Sequence, residues 1–227
     1  MCFSASASFV AGTSLSAFGA ATLRNTLSGA ERPFAMIPLL FGIQQITEGI
    51  IWVTFTQEAS ALKQAMTYVY SVFSHVFWPV YVPIVMALLE PVQWRRQVIF
   101  AFEAAGLAVG MYLLYFLVTE PVVAEVIGGH IVYVSPHFFI VPVMVFYLAA
   151  TCLSCFFSSH RFVNVFGVLA LIAFIVAYVV HVRALVSIWC FFAAILSFLI
   201  YLHLRFRRLG GVFPTSRVAP ADRSSGP

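Results

Sequence analysis

The sequence predicts an all-α fold: a polytopic transmembrane bundle of seven helices, N-terminus outside and C-terminus inside, with an outer β-hairpin between helices four and five. Three observations carry this prediction. Of 227 residues, 62% are hydrophobic and only 9% charged, with a mean hydropathy of +1.00, whereas a soluble domain carries about 25% charged residues. The apolar residues fall into seven runs of about 20, the length that crosses a bilayer's hydrocarbon. The basic residues, finally, are distributed unevenly between the two sets of connecting segments. Together these exclude a water-soluble globule, a disordered chain and a disulfide-stapled secreted module.

The seven runs are 3–23, 34–55, 66–89, 97–118, 137–157, 162–180 and 184–206. The first lacks a basic segment ahead of it, and Arg24 follows it, so it reads as a retained helix rather than a signal peptide. Ser4, Ser8, Gly12, Ser16 and Ala20 recur along it every fourth position, a stripe that lets another helix approach closely. The runs leave no room for a soluble domain: 1–208 form the membrane domain, and 209–227, rich in Gly, Pro, Ser and Arg, read as a disordered cytoplasmic tail. With the N-terminus outside, ten arginines (24, 32, 95, 96, 161, 205, 207, 208, 217 and 223) face the cytoplasm. Only Lys63 and Arg183 face outward. This positive-inside bias supports an odd number of spans. It also accounts for the basic pI without any nucleic-acid partner; the partner implied is the lipid bilayer.

Between helices four and five, two β-branched-rich runs, 122–127 and His130–Val134, flank Gly128-Gly129. Tight hairpin turns need positive φ, which a Gly-Gly pair supplies. A two-residue turn pairs Ile127 with His130 and Glu125 with Val132, placing Glu125 and His130 on one face.

The candidate functional residues are those that violate the apolar rule, because an ionisable group at membrane depth is costly unless paired or facing a cavity. In helix two these are Gln44, Gln45, Glu48 and Trp52, with Gln44, Glu48 and Trp52 on one helical face. In helix three they are Ser71, Ser74 and His75. At 1.5 Å per residue, Glu48 and His75 lie roughly 11 and 14 Å below the outer surface, so a Glu48–His75 hydrogen bond is expected. Gln44, Gln45, Glu48, Trp52, Ser71 and His75 are thus the candidate ligand-binding set, in an outward-facing pocket under the hairpin. Cys2, His130, His137 and His181 gather in the same outer half. His75, His130, His181 and Cys2 form the candidate metal set, since imidazole and thiolate bind transition metals.

Three readings follow: a small-ligand or metal-ion site for sensing or transport, an intramembrane metal-dependent or haem enzyme, and a structural subunit of a larger complex. A retinal Schiff base needs a membrane lysine, and the single lysine, Lys63, lies in a loop. Ser71-x3-His75 resembles the Ser-x3-His element of zinc-dependent intramembrane hydrolases such as alkaline ceramidases. That class also needs a membrane Asp and a late His-x3-His pair; Asp222 is in the tail, and helix seven holds only His203. Cys152 and Cys155 form one CxxC toward the inner side, without a second to complete a metal site.

Several motifs occur together: Met1-Cys2-Phe3-Ser4-Ala5, Gln44-Gln45-x2-Glu48-Gly49-x2-Trp52, Trp78-Pro79-x3-Pro83, Ser158-Ser159-His160-Arg161, Trp189-Cys190-Phe191 and Tyr201-x-His203-x-Arg205. In this combination the chain resembles an uncharacterised family of bacterial multi-pass membrane proteins beginning MCFSA. The resemblance implies a location in the bacterial inner membrane and adds no mechanism or cofactor.

Overall fold

A computed structural model describes residues 4–26, 28–56, 60–134, 136 and 139–208. Cys2, His137 and the expected tail 209–227 lie outside these. Helix α1 (Ala5–Leu23) starts at Ser4, whose Oγ accepts the amide of Ala7 at 3.2 Å. That bond satisfies one of the amides a helix start leaves without a helical partner. The buried residues of α1 are Ser8, Gly12, Leu15, Gly19 and Thr22. They face α2 (Arg32–Thr56), which is entered through a 3₁₀ turn at Gly29–Glu31. The seam therefore alternates steps of four and three. A strict four-residue stripe drifts around a 3.6-residue helix, so Ser8 and Gly12 stay on the seam while Ala20 turns outward. At Gly19 the contact is backbone to backbone: a Cβ there would sit 2.4 Å from the Leu39 nitrogen.

The third rod is α3 (Ser60–Ser71), a π-helical stretch (Val72–Phe77) and α4 (Trp78–Leu89). It begins six residues before the apolar run because Ser60–Gln64 is polar but still helical. The π turn has a local cause. Trp78 donates its amide to the carbonyl of Phe73 rather than Ser74, and Pro79 has no amide to offer. The Ser74 carbonyl is left without a helical partner and accepts instead from the hydroxyl of Tyr147. A similar release occurs one turn later, where Pro83 cannot serve the carbonyl of Pro79. Helix α5 (Gln93–Thr119) packs on that carbonyl through Gly106, where a Cβ would come within 2.0 Å of the oxygen.

Strands β1 (Val123–Ile127) and β2 (His130–Val134) form the expected hairpin in the expected register, Ile127 opposite His130 and Glu125 opposite Val132. Gly128 and Gly129 have φ of 60° and 78°, as a type I′ turn demands. The hairpin is wedged between two helix pairs. Ala124, Ile131 and Tyr133 pack on Ile51, Trp52 and Tyr70, at the ends of α2 and α3. On the other face, Ile127 and Val132 pack on Ala177, Ala184 and Ile188.

The chain continues through α6 (Ile140–Leu148), a second π stretch (Ala149–Leu153) and α7 (Ser154–Phe156). Helices α8 (Arg161–His181) and α9 (Leu185–Arg208) follow, joined by a 3₁₀ turn at Val182–Ala184. Among the described residues, four helical stretches are long and apolar enough to cross a membrane: Gly29–Thr56, Ser60–Leu89, Gln93–Thr119 and Arg161–Arg207. The last folds back at the 3₁₀ turn, so α8 and α9 lie side by side. Ile140–Phe156 is a shorter apolar helix.

The helix ends carrying Arg24, Arg32, Arg95, Arg96, Arg161, Arg205 and Arg207 meet at one end of the bundle. Three contacts tie them together: Arg207 with Glu31 at 2.7 Å, Arg95 with the Ser158 carbonyl at 3.2 Å, and Glu90 with Ser159. Lys63 and Arg183 stand at the other end, beside the hairpin.

Candidate functional site

The polar residues of α2 point into the interior at the hairpin end. Gln44, Gln45 and Glu48 have zero exposure, as do Tyr70, Ser71 and Ser187. Gln44 Oε1 accepts from Trp78 Nε1 at 2.7 Å, tying α2 to α4. Ser187 Oγ donates to Glu48 Oε1 at 2.5 Å, tying α2 to α9. Gln45 and Tyr133 stand beside Glu48, and Cys190 stands beside Gln44, Tyr70 and Glu48. Tyr133 closes the site from above, its ring stacked on Tyr70 at 4.3 Å and 7°. Five elements thus converge here: α2, α3, α4, β2 and α9.

Several polar atoms in this cluster lack a well-formed hydrogen bond, although Gln45 and Tyr133 approach Glu48 and Gln44 approaches Cys190: both amide atoms of Gln45, Gln44 Nε2, Glu48 Oε2, Trp52 Nε1 and Ser71 Oγ. Native proteins pair nearly all buried polar groups, because leaving one unpaired costs about 1–3 kcal/mol. A cluster of six such atoms is therefore a feature to be explained by use. Among the described residues the one ion pair, Arg207–Glu31, lies at the opposite end. Among the described residues, no lysine or arginine side chain shares the interior with Glu48.

Five of the six candidate ligand-binding residues (Gln44, Gln45, Glu48, Trp52 and Ser71) contribute those atoms. The sixth, His75, is buried at 8% exposure and belongs to a serine network: its Nδ1 lies 2.8 Å from Ser74 Oγ and 3.2 Å from the Ser71 carbonyl oxygen. The expected Glu48–His75 bond is replaced by Glu48–Ser187. The depth estimate assumed a regular helix three, and the π turn at Val72–Phe77 rotates everything after Ser71 about the axis. The expected opening is also different. The cluster is enclosed, with the hairpin laid across it.

Of the candidate metal set, the structure brings together His130 and His181, whose ring centroids are 5.0 Å apart in an edge-on contact. His130 is buried, and burial together with the neighbouring His181 holds its imidazole below the ordinary pKa. His75 does not join that pair, and Cys2 lies outside the described residues. Among the described residues, no group of three His, Cys, Asp or Glu side chains is placed to hold a metal ion. Cys152, Cys155 and Cys190 are free and buried; Cys155 packs against Gly167.

Sequence reasoning did not find Tyr70 and Tyr133. Their signal was present in the alternation of β2, where Ile131 and Tyr133 share the face opposite His130 and Val132. Which helix that face would meet was not legible without the fold.

The sequence profile of a family of unknown function, DUF6629, matches residues 1–214. The chain belongs to this family. No curated protein and no solved structure matches it. The DUF6629 match spans nearly the whole chain, from the α1 segment to just past α9. It thus covers the polar cluster, the hairpin and the basic end alike.

Proposed function

We propose that this DUF6629 protein is an inner-membrane protein that crosses the bilayer seven times, N-terminus outside. Its function runs through reversible binding of a proton or a small cation at Glu48. Support for the topology comes from the gathering of arginines at one bundle end and of Lys63 and Arg183 at the other, as the positive-inside rule requires. The observation that carries the functional reading is Glu48 itself: zero exposure, one oxygen held by Ser187, and the other without a well-formed bond beside the Gln45 amide and the Tyr133 hydroxyl. A lone carboxylate at membrane depth is costly as an anion and needs either a proton or a cation. Carboxylate, amide carbonyl and hydroxyl oxygens are the ligands hard cations take. The hairpin is the gate in this reading, since its Tyr133 sits directly over the centre.

The test is reconstitution in liposomes loaded with a pH-sensitive dye, under an inward sodium, potassium or proton gradient, for the natural chain and Glu48→Gln. Gradient-driven flux that Glu48→Gln abolishes supports transport. Stabilisation of the detergent-purified protein by one of these ions, lost in Glu48→Gln, supports sensing. If neither flux nor ion-dependent stabilisation differs between the two proteins, the reading is wrong. The structural reading then gains, because Gln44–Trp78 and Glu48–Ser187 also bridge helices.

A further inference from the structure

A cavity lies far from Glu48, at the arginine-rich end, between the loop before α2, the end of α4, the start of α8 and the end of α9. It has a volume of about 240 Å³ and walls of two kinds. One wall is polar: His160, His203, Arg207 and Glu31. The other is apolar, with Phe34, Leu89, Phe162, Val163 and Leu204 among its residues. We infer that this cavity binds the phosphate headgroup of an anionic phospholipid of the cytoplasmic leaflet, with the top of an acyl chain against the apolar wall.

Four observations converge on this occupant. Arg207 lines the cavity, and Arg24, Arg32, Arg95, Arg96, Arg161 and Arg205 stand on helix ends at the same side of the bundle, against the carboxylates Glu31 and Glu90, so the field at this end favours an anion over a cation. Glu90 is fully engaged elsewhere, accepting from the amides of Val92 and Ser159 and from the Ser159 hydroxyl. Glu31 grips one end of the Arg207 guanidinium at 2.7 Å and thereby fixes its plane, while the Arg207 Nε is buried and unbonded. His203 is stacked flat on Phe162 at 4.1 Å and 13°, which holds its ring at the boundary between the polar and apolar walls. Basic pockets between helices on the cytoplasmic side are where anionic lipid headgroups bind. The 21-residue α8 begins at the cavity, adding the positive end of its dipole. A mixed wall of this kind suits an amphiphile better than a free phosphate, which would leave the apolar side unused.

The experiment uses the full chain purified in detergent, titrated with phosphatidylglycerol, with phosphatidylcholine of the same chains, and with inorganic phosphate. Thermal unfolding and native mass spectrometry supply the readouts. Phosphatidylglycerol should raise the Tm and remain as a bound adduct, while the other two should not. Arg207→Gln should weaken the phosphatidylglycerol effect about tenfold, the loss of one charge-assisted contact. Glu31→Gln should strengthen it, because it removes the competing negative charge. That opposite sign separates a binding site from a merely structural ion pair, and it stands as a test even if Arg207→Gln fails to fold. Equal stabilisation by phosphatidylcholine overturns the proposal, as does an Arg207→Gln protein that folds and binds phosphatidylglycerol unchanged. An unchanged or weakened response in Glu31→Gln does so too. Stabilisation by inorganic phosphate equal to that by the lipid would make the occupant a soluble phosphate and overturn the lipid assignment.

Discussion

Two buried glutamates at opposite ends of the bundle are held in opposite ways. Glu90, 3% exposed at the end of α4, accepts three hydrogen bonds: from the Val92 amide at 3.0 Å, the Ser159 amide at 2.5 Å and the Ser159 hydroxyl at 2.6 Å. Both of its oxygens are used. Glu48, with zero exposure, accepts one well-formed bond, from Ser187, and at Oε2 has only the looser approach of its neighbours Gln45 and Tyr133. The first is a clasp: it joins the α4–α5 turn to the α7–α8 turn and satisfies amides that helix ends leave open. The second is under-bonded in a setting where under-bonding is expensive. A buried acid whose bonds are complete is explained by architecture alone; one whose bonds are incomplete is not.

The comparison breaks most sharply if Glu90 proves dispensable. Glu90→Ala removes the acceptor for two backbone amides and a hydroxyl, so it should cost about 3 kcal/mol and loosen the start of α8. Thermal unfolding in detergent measures the loss, and hydrogen exchange at Val92 and Ser159 locates it. A variant as stable as the natural protein would show that the clasp is not structural.

The cover over Glu48 should yield next. Gly128 and Gly129 have φ of 60° and 78°, and a Cβ on Gly128 would stand 3.1 Å from His181 Nε2. A side chain in the left-handed region costs about 1 kcal/mol, so Gly129→Ala should loosen the hairpin by that amount and Gly128→Ala by more. Both should speed labelling of an introduced Tyr133→Cys thiol. Labelling no faster than in the Tyr133→Cys single variant would mean that the hairpin is not held by its turn.

The contrast between the two glutamates also marks how far the sequence could be read. The hairpin was legible to the register, because Gly-Gly between β-branched runs has few other uses. The polar set on α2 was legible because helical spacing puts Gln44, Glu48 and Trp52 on one face. The partner of Glu48 was not. Ser187 lies 139 residues away in sequence, and no periodicity connects the two. His75 misled for a local reason: Pro79 withdraws an amide, the helix shifts into a π turn, and depth counted at 1.5 Å per residue no longer gives azimuth. The clasp at Glu90 was equally out of reach, because its partner Ser159 lies 69 residues away in sequence. The cavity at the basic end was likewise out of reach, since its four wall segments are spread from residue 28 to residue 207.

Acid should sharpen the comparison more gently than mutation. The folded hairpin holds the His130 imidazole below its ordinary pKa, through burial and then through His181. The unfolded or lifted hairpin takes up a proton more readily, so its closure is strongest above about pH 6.5, the ordinary imidazole value. Closure weakens as pH falls below that. Hydrogen exchange of the β1 and β2 amides should therefore be faster at pH 5.5 than at pH 7.5, after correction for intrinsic exchange, and His130→Asn should flatten the difference. The Glu90 end should show no such trend with His130→Asn.

Glu48→Gln should have the smallest effect on stability and is for that reason the most decisive comparison with Glu90→Ala. The amide is the same size as the carboxyl group, and its oxygen can still accept from Ser187 at the same 2.5 Å contact. It also removes a charge for which the interior offers no lysine or arginine side chain among the described residues. Unfolding should shift by less than about 1 kcal/mol in either direction, while any proton- or cation-dependent behaviour disappears. If instead Glu48→Gln unfolds the protein as readily as Glu90→Ala does, the two glutamates do the same work. The polar interior under the hairpin would then be a second clasp, and the Glu48 centre would have no claim to function.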